Sequence, residues 1–168
     1  MTRVLLVPGR GIPGDDHWMR RWAAAHPDWA WAPEPGTPLV YAERVAALAA
    51  AVAADAEPAV LVAHSAGCVT AVQWAATGGG VRGALLVAPP CFEGVAGAPE
   101  VPLAPLPFPA VLVASRTDPY CDYEDAEAYA LAWGARLVDA GDAGHVDTKT
   151  GYGPWPDGEA LIAALLES

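Results

Sequence analysis

Basic residues and cysteines are both scarce in this chain of 168 residues. Nine lysines and arginines stand against twenty aspartates and glutamates, which gives a formal net charge of −11. Such a charge repels nucleic acid and anionic membrane surfaces, so we expect no partner of either kind. The three cysteines are odd in number and lack metal-ligand spacing. We therefore expect reduced thiols, without a metal site or a disulfide framework, at Cys68, Cys91 and Cys121.

Long apolar runs are also missing. No stretch of about eighteen residues is free of glycine, proline and charge, as a transmembrane helix would require. Residues 1–4 lead directly into an apolar run too short for the hydrophobic region of a signal peptide, so we expect a cytoplasmic protein. The length and the hydrophobic fraction of 54% predict one domain over residues 1–168.

Short β-branched runs alternate with segments of helical periodicity along the chain. Strands are predicted at 4–7, 29–32, 60–62, 84–88, 110–114 and 136–138, with helices between them. Asp15 and Asp16 are expected to cap the first helix. This alternation predicts an α/β fold, a three-layer sandwich with helices on both faces of a parallel sheet. Its active site should lie at the carboxyl ends of the strands.

The third strand leads into Ala63-His64-Ser65-Ala66-Gly67, which matches a nucleophile elbow with Ala63 in place of the usual glycine. Small residues are needed two before and two after the serine, because strand and helix pass close together there. Ser65 should adopt a strained backbone conformation that projects its Oγ from the sheet. Taken alone, the same residues could form an ordinary tight turn.

Two further polar residues follow later strands. Asp118 follows the fifth predicted strand and His145 the sixth, so serine, aspartate and histidine occur in the order found in α/β-hydrolases. A Ser-His-Asp triad is therefore predicted, with Asp122 and Asp147 as alternative acids. His64 is expected to pack in the core, and His17 with Trp18 to anchor the first loop and helix.

The triad predicts a serine hydrolase that cleaves small acyl substrates through an acyl-enzyme and needs no cofactor. The N–H groups of Ala66 and Arg10 should form the oxyanion hole, with Gly11 as the reserve donor. Residues 89–109 contain seven prolines and too few large apolar residues to form a packed lid. We expect them to form a wall of the site, with Phe92 and Gly11 lining the substrate pocket.

The sequence resembles the small bacterial serine hydrolases related to retinoblastoma-binding protein 9, a lidless branch of the α/β-hydrolases. The resemblance covers nearly the whole chain. It implies a six-stranded parallel sheet in the order 2-1-3-4-5-6 without a cap domain, and triad positions at Ser65, Asp118 and His145. The matching features are Val7-Pro8-Gly9, His17-Trp18 with Trp22, His64-Ser65-Ala66-Gly67-Cys68, Thr117-Asp118-Pro119, and Gly144-His145 followed by Gly151-Tyr152-Gly153-Pro154-Trp155-Pro156.

Two alternatives remain open. Gly9, Gly11 and Gly14 satisfy a dinucleotide-binding pattern, and Glu34 follows about 20 residues later. Against it, Pro13 removes an N–H from the turn, and Asp15 and Asp16 would oppose a pyrophosphate. The second alternative is a protein-interaction module that keeps a hydrolase fold without turnover, since a fold alone does not establish function.

Overall fold

Six strands form one parallel sheet in the computed structural model, which describes residues 3–167, and numbered along the chain they lie side by side in the order 2-1-3-4-5-6. This confirms the predicted architecture and strand order. The expectation about a signal peptide involves Met1 and Thr2, which lie outside the described residues. The strands are β1 (Arg3–Val7), β2 (Ala30–Trp31), β3 (Ala59–His64), β4 (Val81–Val87), β5 (Ala110–Ala114) and β6 (Arg136–Asp139).

Helices cover both faces of the sheet, because alternate residues of each strand point to opposite sides. In β3, Leu61 belongs to the apolar cluster beneath the second, third and fourth helices, whereas Val60 and Val62 belong to the cluster beneath the first and fifth helices. Each central strand therefore has to be apolar on both faces. The helices are α1 (Trp18–Ala25), α2 (Tyr41–Ala53), α3 (Ala66–Ala75), α4 (Tyr123–Trp133) and α5 (Pro156–Glu167).

The first helix begins differently from the sequence prediction. Its N-cap is His17, whose Nδ1 accepts a hydrogen bond from the N–H of Met19 at 3.1 Å. Asp15 and Asp16 are exposed and pair instead with Arg20 and Arg21. The prediction of an aspartate cap is wrong, because the chain is still turning at these residues and the helix starts only at Trp18.

The expectation of three reduced thiols is also wrong. Cys91 and Cys121 form a disulfide across 30 residues of sequence, with their Cα atoms 4.8 Å apart. Both follow strands that end at the same edge of the sheet, and the N–H of Cys91 donates to the carbonyl of Tyr120 at 3.0 Å. Cys68 is the one free thiol in the part of the chain that the structure describes.

The proline-rich segment 89–109 reaches the site only with its first residues. Further along, the indole of Trp133 donates a hydrogen bond to the carbonyl of Pro102 at 2.8 Å. The side-chain amide of Gln73 donates one to the backbone carbonyl of Glu100 at 2.7 Å. Most of the segment thus covers α3 and α4 on the outside of the sheet. Across residues 3–167, no helix is long and apolar enough to cross a bilayer.

Candidate active site

Ser65 occupies a sharp corner between β3 and α3, with φ 54° and ψ −123°. This is the strained conformation that the sequence pattern predicts, and it is rare outside glycine. Gly67 allows the corner to close, because a Cβ there would lie 2.1 Å from the carbonyl oxygen of Val7. Ala63, fully buried in β3, is small enough to replace the usual glycine.

The three residues predicted as a triad lie in one hydrogen-bonded chain. His145 Nε2 is 2.7 Å from Ser65 Oγ, and His145 Nδ1 is 3.0 Å from Asp118 Oδ1. The His145 and Asp118 side chains are only 6% and 3% exposed, so water screens this pair little. Neither alternative acid takes the place of Asp118. Asp122 stands at the exposed start of α4, and Asp147 Oδ1 accepts hydrogen bonds from Thr150.

A second set of contacts holds the loop that carries His145. His64 Nε2 lies 2.9 Å from the carbonyl oxygen of His145, and the indole of Trp18 donates to the carbonyl of Val146 at 2.8 Å. The N–H of His145 donates to Thr150 Oγ1 at 2.9 Å. His64 and Trp18 therefore pack as predicted, and they also fix the backbone on either side of the imidazole.

Ser115 and Thr117 link the aspartate loop to the histidine loop, a role that the sequence pattern does not predict. Ser115 Oγ accepts from the N–H of Ala143 at 3.0 Å, and Thr117 Oγ1 accepts from that of Gly144 at 2.9 Å. Both hydroxyls thus hold residues just before His145. The available signal was the position of Ser115 directly after a buried strand, where an interior polar group needs a partner.

Two buried histidines next to the site remain neutral well below pH 6.5. Burial lowers the pKa of His17 to about 4, and burial together with the neighbouring His17 and His145 lowers that of His64 to about 3. Burial opposes ionisation of Asp147, but the hydrogen bonds from Thr150 together with the neighbouring His145 and His64 leave the pKa of this carboxyl below its ordinary value. The carboxylate therefore stays charged beside two neutral imidazoles.

We expect the free energy of unfolding to fall as the pH drops below about 6.5. Above that pH, His17 and His64 are neutral in both states. Below it, the unfolded chain binds protons that the folded protein excludes down to pH values of about 4 and 3. Each histidine should contribute a slope of roughly 1 kcal/mol per pH unit in this window.

Urea unfolding between pH 6 and 4.5 measures this slope. His64→Gln keeps a donor for the carbonyl of His145 but cannot bind a proton, so the slope should decrease by about one histidine's share. An unchanged slope in His64→Gln would contradict the assignment.

A cavity of about 430 Å³ opens over Ser65 and His145. All four residues predicted for the oxyanion hole and pocket, Ala66, Arg10, Gly11 and Phe92, line it. Residues not predicted to line it include Leu39, Tyr41, Tyr120, Thr148 and Lys149. The ring of Tyr120 packs edge-on against that of His145, with centroids 4.6 Å apart. Among residues 3–167, no cluster of side chains could hold a metal ion.

The glycine-rich loop lines the same cavity, with Gly9, Gly11 and Gly14 all at its surface. The following helix starts only at Trp18, beyond the two aspartates. The glycines are therefore not joined directly to a helix N-terminus, as a dinucleotide-binding turn requires. Gly9 instead contacts the elbow, since a Cβ there would lie 3.1 Å from Ser65 Cβ.

Several solved structures of other proteins have a fold similar to that of this chain. A protein described as a YdeN-like hydrolase from Pectobacterium atrosepticum is 30% identical, with a TM-score of 0.90 over 99% of this chain and 91% of that one. The ydeN gene product of Bacillus subtilis is 18% identical, with a TM-score of 0.75 and complete coverage of both chains. An esterase of Pyrococcus furiosus shares the fold at 14% identity, with a TM-score of 0.74 over 99% of this chain and 82% of that one.

A comparison with curated proteins gave no match. The family model described as "Serine hydrolase" matches residues 4–164, which include the elbow and both partner loops. The chain belongs to this serine hydrolase family.

Proposed function

We propose that the protein hydrolyses carboxylic esters of small acyl groups through an acyl-enzyme on Ser65. The observation that carries the proposal is the continuous chain from Ser65 Oγ through His145 to a buried Asp118, at the floor of an open cavity. The match of residues 4–164 to the serine hydrolase family supports the proposal. We also propose that the chain belongs to the retinoblastoma-binding protein 9-like branch of the family. A cytoplasmic location is part of the same proposal.

Each of these groups has a step in the proposed reaction. Ser65 Oγ attacks the acyl carbonyl carbon while its proton passes to His145 Nε2. Asp118 accepts a hydrogen bond from Nδ1–H and stabilises the imidazolium. The N–H groups of Ala66 and Arg10 hold the oxyanion. The tetrahedral intermediate then expels the alcohol, which takes the proton from His145. Water repeats the sequence on the acyl-enzyme and releases the carboxylic acid.

A fluorophosphonate probe tests the proposal directly, because it phosphonylates an activated serine. Folded wild-type protein should be labelled on Ser65, whereas Ser65→Ala and the urea-unfolded wild type should not. Hydrolysis of p-nitrophenyl butyrate should disappear with the labelling. Absence of labelling in the folded protein would favour the interaction module. Saturable quenching of tryptophan fluorescence by NAD would favour the dinucleotide alternative.

Ester hydrolysis should be fastest with short acyl chains. The cavity is small and open, and only Pro90 and Phe92 of segment 89–109 line it, so no lid encloses a long chain. We expect kcat/KM on p-nitrophenyl esters to peak at about two to six carbons, since little further apolar area can be buried. An optimum at twelve carbons, or a rate jump at the micellar concentration, would contradict this expectation.

Phe92→Ala probes the same wall. It should lower kcat/KM on the butyrate ester by about fivefold to tenfold, the loss expected when part of an aromatic contact is removed. Leu103→Ala is the matched control, because Leu103 belongs to the same segment, is exposed and does not line the cavity. Equal effects of the two substitutions on kcat/KM would show that Phe92 does not contact the acyl group.

A further inference from the structure

Arg44 is fully buried within α2, yet it has no carboxylate partner among the described residues. Its guanidinium donates only to backbone carbonyls. Nη1 lies 2.9 Å from the oxygen of Pro8 and 3.1 Å from that of Gly9, Nη2 lies 2.5 Å from that of Thr37, and Nε lies 3.2 Å from that of Pro38. A buried charge without a counter-ion is costly unless its hydrogen bonds are satisfied.

The bond to Gly9 fixes the direction of a neighbouring donor. In a trans peptide, the N–H of Arg10 points opposite to the C=O of Gly9. Because that C=O faces the guanidinium of Arg44, the N–H of Arg10 points away from this guanidinium. Gly9 lies against the elbow, and Arg10 lines the cavity together with Ser65. The guanidinium thus holds the peptide that carries the proposed second oxyanion donor.

We propose that Arg44 is the positioning residue of the oxyanion hole, acting through the Gly9–Arg10 peptide. The proposal rests on the proposed hydrolase function. The positive charge of Arg44 has no ion-pair partner among the described residues and contacts the same peptide that carries the donor, so it also attracts the oxyanion that forms during the reaction. Positioning of the N–H donor and attraction of the oxyanion both stabilise the transition state and not the bound ester. Loss of Arg44 should therefore affect kcat more than KM.

Arg44→Gln removes the charge and most of the bonds, whereas Arg44→Lys keeps the charge and fewer donors. On p-nitrophenyl butyrate, kcat should fall about a hundredfold in Arg44→Gln and about tenfold in Arg44→Lys, with KM within about threefold, as for loss of an oxyanion contact. Affinity for a boronic acid, which forms a tetrahedral adduct with the serine, should fall in parallel with kcat.

Arg3→Gln is the matched control. Arg3 also donates to backbone carbonyls, those of Val52, Asp55 and Glu57, but at the amino end of β1, away from the site. It should lower the unfolding free energy without changing kcat or boronate affinity. Unchanged kcat in both Arg44 variants, or an equal loss in Arg3→Gln, would overturn the proposal while leaving the hydrolase function intact. If Arg44→Gln does not fold, a kcat within twofold of wild type in Arg44→Lys overturns it.

A separate observation concerns the charge of the cavity. Arg10 and Lys149, the single lysine of the chain, line it and are exposed. Neither has an ion-pair partner within residues 3–167, whereas Arg20, Arg21 and Arg116 each pair with an aspartate. Asp147, whose charged carboxylate accepts hydrogen bonds from Thr150, is the one acidic side chain that lines the cavity in the described part of the chain. The lining therefore carries more positive than negative side chains in a protein of net charge −11.

From these two cations we infer that the substrate carries a carboxylate or phosphate group close to the scissile ester. This inference also rests on the proposed hydrolase function. The exposed cations attract an anion that the rest of the surface repels, and the attraction should weaken as salt screens it.

Two p-nitrophenyl esters of equal length test the inference, the glutarate half-ester with its terminal carboxylate and the neutral valerate. Wild type should favour the glutarate by about tenfold in kcat/KM at low salt. Lys149→Gln should reduce this glutarate-to-valerate ratio of kcat/KM about threefold, which corresponds to the loss of one exposed charge pair. Arg136→Gln is the control, since Arg136 is exposed, unpaired in the described chain and placed at the amino end of β6.

A preference for valerate, or equal glutarate-to-valerate ratios in Lys149→Gln and Arg136→Gln, would overturn the inference of an anionic substrate. Hydrolysis of valerate that depends on Ser65 would still support the hydrolase function. If neither ester is hydrolysed, the hydrolase proposal fails, and this inference fails with it.

Discussion

Ser65→Ala and His145→Ala should each lower kcat for ester hydrolysis by about a thousandfold or more. The serine supplies the attacking oxygen and the histidine its base, so neither works without the other. Asp118→Asn should be similarly severe, because an amide cannot stabilise the imidazolium and favours the wrong tautomer. The double variant Ser65→Ala/His145→Ala should be no worse than either single variant, since the members act as a unit.

Asp122→Asn and Asp147→Asn are the matched controls for the acid. Asp122 is exposed and makes no capping hydrogen bond, so its replacement should change kcat little. Asp147 orders the turn after His145 through Thr150, so its replacement should have a moderate effect on the position of the imidazole. If Asp122→Asn is as damaging as Asp118→Asn at equal thermal stability, Asp118 is not the acid.

The sheet could be predicted because its central strands are buried on both faces. Short, wholly apolar runs such as 60–62 and 84–88 are typical of interior strands, and the glycines and prolines between such runs mark the turns. The sequence predicts the length of the edge strand less well. The predicted strand over 29–32 exceeds β2, whose strand residues are Ala30–Trp31, because an edge strand has only one neighbouring strand to define its length.

The candidate triad could be located for a related reason, since the carboxyl ends of parallel strands meet at one edge of the sheet. Contacts between loops could not be located in this way. The Cys91–Cys121 bridge and the four carbonyls around Arg44 depend on how irregular segments fold back on one another. No periodicity in the sequence encodes that. In the pattern of α2, Arg44 looks like an ordinary polar helix residue.

Gly67→Ala should destabilise the protein by about 3 kcal/mol or more, although alanine is the better helix former. The gain in helix propensity is at most about 1 kcal/mol. Against it, the added Cβ would lie 2.1 Å from the carbonyl oxygen of Val7 and 2.9 Å from that of Pro8. These are backbone atoms at the end of a central strand, so relief requires α3 to move away from β1, and such overpacking costs several kcal/mol.

The same movement would pull Ser65 away from Gly9, so Gly67→Ala should also lose esterase activity in whatever fraction remains folded. Gly79→Ala is the matched control, because a Cβ there meets nothing within 4 Å and the residue lies between α3 and β4. Urea unfolding should place Gly79→Ala within about 0.5 kcal/mol of wild type, as for an ordinary surface substitution. If Gly67→Ala unfolds at the same urea concentration as Gly79→Ala, strand and helix do not make the close contact on which the serine corner depends.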